Sequence, residues 1–138
     1  MRKNPLLFIY KTVVTHYNNK IYLQRKVVQI NEKHFGPVLL KIIDSLHESS
    51  NKFQAEYVKQ ILSAIQRNDV VEFKNKIVSV EMWGGSGSVW EVGGFNSQAA
   101  EKEFVVQIVK LIDLMKESGI KSKAARSVRR ALQRIHKL

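Results

Sequence analysis

Apolar positions recur three and four residues apart through most of this chain, the spacing that gathers them on one face of an α-helix. After Gly36-Pro37 they fall at Leu39, Leu40, Ile42, Ile43 and Leu46, which predicts a helix over 37–48 with Pro37 in the first turn. Ser49-Ser50-Asn51 breaks it and supplies a new cap. Phe53, Tyr57, Val58, Ile61, Leu62 and Ile65 then set a second helix running to Arg67. Asp69 with Glu72 three residues on has the form of a capping box and opens a short third helix through Ile77. Ser97 caps a long helix whose first turn is acidic at Glu101 and Glu103, as the helix dipole prefers. Phe104, Val105, Ile108, Leu111, Ile112 and Met115 form its inward face, and Gly119 ends it. Residues 120–137 return to the helical period.

The first thirty residues admit two readings. Leu6, Leu7, Ile9, Tyr10, Val13, Val14 and Tyr17 fit a helical face, and two helices over 5–30 are the favoured reading. Against it, Thr12–Thr15 are all β-branched, and Asn18-Asn19 suits a hairpin turn into Ile21–Leu23. Either way the expected architecture is mainly α: a single-domain helical bundle over 1–138, with a glycine-rich turn or short strand near 82–94.

That window, Glu81 to Gly94, holds five of the seven glycines and both tryptophans. Glycine concentrates where the backbone needs φ > 0 or a close approach, so the clustering marks a tightly specified turn. A phosphate-binding loop would end in Gly-Lys-Ser/Thr, whereas Gly87-Ser88 leads into Val89-Trp90-Glu91. The nucleophile-elbow pattern fails too, because Ser88 stands where the last glycine belongs. Glu81 and Glu91 flank the loop without a spacing that implies paired carboxylates. Two roles remain: Trp83 and Trp90 as apolar anchors of the turn, with Val89–Val92 alternating like a short strand, or a contact surface made by Trp83, Gly85, Ser86, Ser88, Trp90 and Glu91.

Charge sharpens the picture at the ends. The formal net charge is +11, and it divides into +6 over residues 1–35, −2 over 36–118 and +7 over 119–138. In the last segment Lys123, Arg126, Arg129, Arg130, Arg134 and Lys137 fall within an arc of about 140° at 100° per residue. Ala124, Val128, Ala131, Leu132, Ile135 and Leu138 occupy the other side. This basic amphipathic helix makes Arg126, Arg129, Arg130 and Arg134 candidates for contact with an anionic partner, nucleic acid or an acidic protein surface.

Other chemistry finds little support. There is no cysteine, so thiolate zinc sites, disulfides and cysteine nucleophiles are excluded. His16, His34, His47 and His136 lack metal-ligand spacing, so neither a metal nor any other cofactor is expected, nor an enzymatic activity. Tyr17-Asn18-Asn19-Lys20-Ile21-Tyr22 mixes aromatic and basic residues but matches no familiar RNA- or DNA-reading module. The apolar run Leu6–Tyr10 is too short for a signal peptide, and none approaches the ~18–20 residues of a spanning helix, which suggests a cytoplasmic protein.

The stretch from about Glu56 to Gly119 resembles a small bacterial helical family: helix, short helix, a Gly-Gly-x-Gly-Ser-apolar-x-acid-apolar turn, then a long helix. The turn here is Gly84-Gly85-Ser86-Gly87-Ser88-Val89-Trp90-Glu91-Val92, with Ser86 where a bulkier apolar residue is expected. Such proteins are similar to the immunity proteins of bacterial toxin systems, including contact-dependent growth inhibition. The resemblance implies a cytoplasmic chain that neutralises a cognate toxin domain by occluding it. The alternative is a nonspecific nucleic-acid-binding protein that uses its basic ends.

Overall fold

Asn31, rather than the Gly36-Pro37 pair, starts the first helix. Its side-chain oxygen accepts the His34 N–H at 3.1 Å, and α1 runs Glu32–Glu48. Pro37 therefore lies inside the helix, where it removes the N–H that Lys33 C=O would accept. Lys33 is exposed, so water can satisfy that carbonyl. The computed structural model describes residues 10–11, 14–17, 20–23 and 27–138, with side chains from residue 29 onward.

The next two helices are generated by one repeated device. α1 closes with Ser50 in the left-handed region (φ 63°), Ser50 N–H donating to His47 C=O at 3.0 Å and Asn51 N–H to Leu46 C=O at 2.8 Å. Asn51 is then the N-cap of α2 (Lys52–Gln66). α2 closes the same way, with Asn68 left-handed (φ 60°) and Asp69 N–H donating to Ala64 C=O at 2.9 Å. Asp69 caps α3 (Val70–Ile77), its carboxylate accepting the Glu72 N–H at 3.1 Å as the sequence predicts. Each linking residue finishes one helix and starts another, which fixes the sharp reversals. The final instance, with Gly119 at φ 79°, sends Ile120 N–H to Met115 C=O at 2.8 Å and ends α5 (Gln98–Glu117). Ser97 caps α5 as expected, accepting the Ala100 N–H at 3.0 Å. Between them lie a short α4 (Val80–Trp83) and a 3₁₀ turn, Val89–Glu91; α6 (Lys123–His136) closes the chain behind its own N-cap, Ser122.

The two-helix reading of the N-terminal region is overturned. The described residues there are strands: β2 (Val14–Tyr17) pairs antiparallel with β3 (Lys20–Leu23), from Val14↔Leu23 to Tyr17↔Lys20, and β1 (Tyr10–Lys11) pairs with β4 (Val27–Val28). Density of β-branched side chains outweighed the helical spacing, and a two-residue gap at Asn18-Asn19 is the length a tight hairpin requires. Residues 5–9, 12–13, 18–19 and 24–26 lie outside the described ones. The mainly α class holds, and one apolar cluster runs from Phe35 in α1 through α2 to α5, reaching Val128 and Leu132 in α6. Phe35 and Phe73 meet edge to face at its centre, ring centroids 4.9 Å apart.

Candidate partner-binding surface

Two regions flagged by the sequence, the glycine window and α6, are built in opposite ways. In the window, Gly84 C=O accepts both Ser88 Oγ–H at 2.9 Å and Trp90 Nε1–H at 2.8 Å, which folds the segment back on itself. Trp83 is only 4 % exposed and donates its indole N–H to Ile77 C=O at 2.6 Å. From outside, Gln54 Nε2 donates to Gly87 C=O and Asn51 Nδ2 to Gly93 C=O, each at 2.9 Å. Just before the window, Tyr57 O–H reaches Lys76 C=O at 3.1 Å and lies 2.6 Å from Ser79 Oγ, tying α2 to the α3–α4 junction. Burial pushes the Tyr57 hydroxyl pKa up, only partly offset by the bond to Ser79.

The expected short strand at Val89–Val92 is thus a 3₁₀ turn followed by extended backbone. Ser88 and Trp90 spend their donors on Gly84, so the chain turns where a strand would have to run straight. Gly84 allows this because a Cβ there would lie 2.6 Å from Val80 O and clash with the Val80 side chain. Gly87 adopts φ 90°, while Gly85 has open space around it. Of the six window residues singled out, Trp83 and Ser88 are buried and Trp90 is half-buried; Gly85, Ser86 and Glu91 are exposed.

α6 is the reverse case. Arg129 is half-buried and forms a bidentate pair with Asp113 of α5, Nε to Oδ1 at 2.7 Å and Nη2 to Oδ2 at 3.0 Å. This bond, more than the charge itself, raises the pKa of the Arg129 guanidinium. Together with the buried stripe it fixes the rotation of the helix. The buried stripe is Ala125, Val128 and Leu132, turned toward Arg129; Ala124, expected inside, is exposed, and Ile135 and Leu138 remain 66 % and 46 % exposed. Lys123, Arg126, Arg130, Arg134 and Lys137 face solvent, with Arg130 touching only Ser127 Oγ at 3.2 Å. Among the described residues none of these five pairs with a carboxylate. α4 approaches α6, so the buried beginning of the window supports the helix from behind.

Asp113 was invisible to pattern reading, because it lies 16 residues from Arg129 and on the next helix. Gln54 and Asn51, which grip the window, carry no signal either beyond being polar near a helix start. Among the described residues no three of His, Asp and Glu come together as metal ligands, and no helix is long and apolar enough to cross a membrane. Comparison with family models, with curated proteins and with solved structures returns no significant match.

Proposed function

We propose that this chain is a bacterial immunity protein of the cytoplasm that binds an acidic face of a cognate toxin domain through α6 and occludes it. The reading rests on one observation. On α6 the exposed cations are bordered by Ile135, a large apolar side chain left 66 % exposed, and Leu138, 46 % exposed, follows just beyond the helix end. At 100° per residue Ile135 falls on the shoulder between the cation arc and the buried stripe. A phosphate backbone is contacted by cations and hydrogen-bond donors and offers nothing to an isoleucine, whereas a protein surface presents carboxylates beside apolar side chains. The helix is also pre-organised: the Arg129–Asp113 pair and the buried stripe fix its cations before any partner arrives, which lowers the cost of ordering them.

The window contributes a rim at most, through Gly85, Ser86 and Glu91. Catalysis forms no part of the proposal. Nucleic-acid binding through the same cations is the second class, and salt separates the two. Fluorescence anisotropy with duplex and single-stranded probes at physiological ionic strength should give only the ~10⁻⁴–10⁻⁶ M typical of nonspecific attraction. Where a toxin domain is encoded beside this gene, co-expression with it should protect cells from it and leave related toxins active. Submicromolar, sequence-selective nucleic-acid binding, or failure to protect, overturns the immunity reading.

A further inference from the structure

The two flanks of α6 differ. At 100° per residue Lys123, Arg126, Arg130 and Arg134 share an arc of about 80°, with Ala125, Val128 and Leu132 almost opposite, so the cations sit on the side turned away from the core. About 100° to one side, Arg129 is held by Asp113, which places α5 against that flank. Ala124, Ser127, Ala131 and Ile135 occupy the other flank, spaced three, four and four residues apart over about 16 Å of helix. Ala124, Ser127 and Ile135 are exposed, Ile135 by 66 %, and Ala131 is half-buried. Arg130 leans toward the same flank, its Nη2 donating to Ser127 Oγ at 3.2 Å.

We infer that this flank takes an α-helix of the partner protein, apolar on the side laid against Ile135 and acidic along the neighbouring edge. The inference rests on the partner-binding reading of α6 and specifies what meets it. Steps of three and four residues are those at which one helix packs on another. Ala124 and Ala131 end at Cβ, so a partner backbone can come close beside Ile135, while carboxylates on its edge meet the exposed Arg130 and Arg134. A second copy of α6 would set cations against cations and is repelled. A nucleic-acid strand answers the cations but leaves Ala124, Ala131 and Ile135 uncovered.

The test titrates the full chain with synthetic peptides of about 20 residues, long enough to hold a helix, and follows its backbone amide shifts. One peptide aligns leucine on a helical face with glutamate beside it. A second has the same composition in an order that gathers neither on a face, and a third carries lysine for glutamate. The first should saturably shift the amides of Ala124, Ser127, Ala131 and Ile135. The second should bind at least about tenfold more weakly, and the third should not bind. Ala124→Gln/Ile135→Gln, which alters exposed side chains and keeps every cation, should melt like the parent and hold a single-stranded oligonucleotide equally well, yet lose at least about tenfold in affinity for the first peptide. Equal binding of the two acidic peptides, binding of the lysine peptide, undiminished affinity in the double variant, or no saturable shift at these amides would each overturn the inference. Cell protection is read independently, so a protein that protects but does not prefer the first peptide would lose the helix and keep the immunity reading.

Discussion

The glycine window and α6 are both conspicuous in the sequence, yet only α6 leaves its functional groups available. In the window the indoles, the Ser88 hydroxyl and the Gly84 carbonyl bond to one another or to Ile77, and Gln54 and Asn51 clamp the segment from outside. On α6 a single arginine is committed to the fold and the remaining cations face water. Unusual composition is thus spent on shape in one case and on surface in the other. A buried indole or a left-handed glycine solves a backbone problem. An exposed cation on a helix solves none, and stays free to meet water or a partner.

The comparison breaks first at Trp83. Truncation to alanine should cost about 3–5 kcal/mol, through the cavity and the orphaned Ile77 carbonyl. Urea melts read it, and a loss under 1 kcal/mol would mean that the window is not anchored this way. The glycines grade the same claim. Gly84→Ala should cost about 2 kcal/mol from its clash with Val80, and Gly87→Ala about 1 kcal/mol from its positive φ. Gly85→Ala should stay within about 0.5 kcal/mol of the parent.

On the other side, Asp113→Asn should cost about 0.5–1 kcal/mol, since the pair is well aligned but roughly a third exposed on both partners. Its larger consequence should be freer motion of α6, read as faster amide exchange from Ala125 to Leu132. Reversing Arg126, Arg130 and Arg134 to glutamate should leave stability within about 1 kcal/mol, because those side chains make only the exposed Arg130–Ser127 bond and Arg134's favourable charge in the last turn.

The smallest effect lies outside both regions and calibrates the melts. Burial, and secondarily the charge of Lys33, hold the His34 pKa below its ordinary 6.5. The folded state therefore prefers the neutral ring. Stability from this group is full above pH 6.5 and declines as pH falls from there through the lower folded-state value. His34→Gln should flatten the loss of melting temperature between about pH 7 and about pH 5.

Helices were legible because their signals are local: Asp69 and Ser97 cap where their side chains predict, and Gly119 ends α5. Three kinds of feature were not. Asn31 was hidden by the more obvious Pro37, which α1 tolerates because the carbonyl it leaves unpaired belongs to exposed Lys33. The N-terminal strands carry a helical apolar spacing beside their β-branched residues and Asn18-Asn19, and the cross-strand pairing that decides between the two signals is not local. The cation face was legible as an arc, but which arginine the fold consumes depends on Asp113, and the rotation that exposes Ile135 follows from that tertiary contact.

The most direct test is co-expression of a toxin domain encoded beside this gene with three forms of this protein: the parent, Arg126→Glu/Arg130→Glu/Arg134→Glu, and Gly85→Ala/Ser86→Ala. The parent and the window variant should protect cells alike, while the arginine variant, equally stable and equally abundant, should lose protection. Full protection by the arginine variant, or its loss in the window variant alone, would contradict the assignment of the binding face to α6.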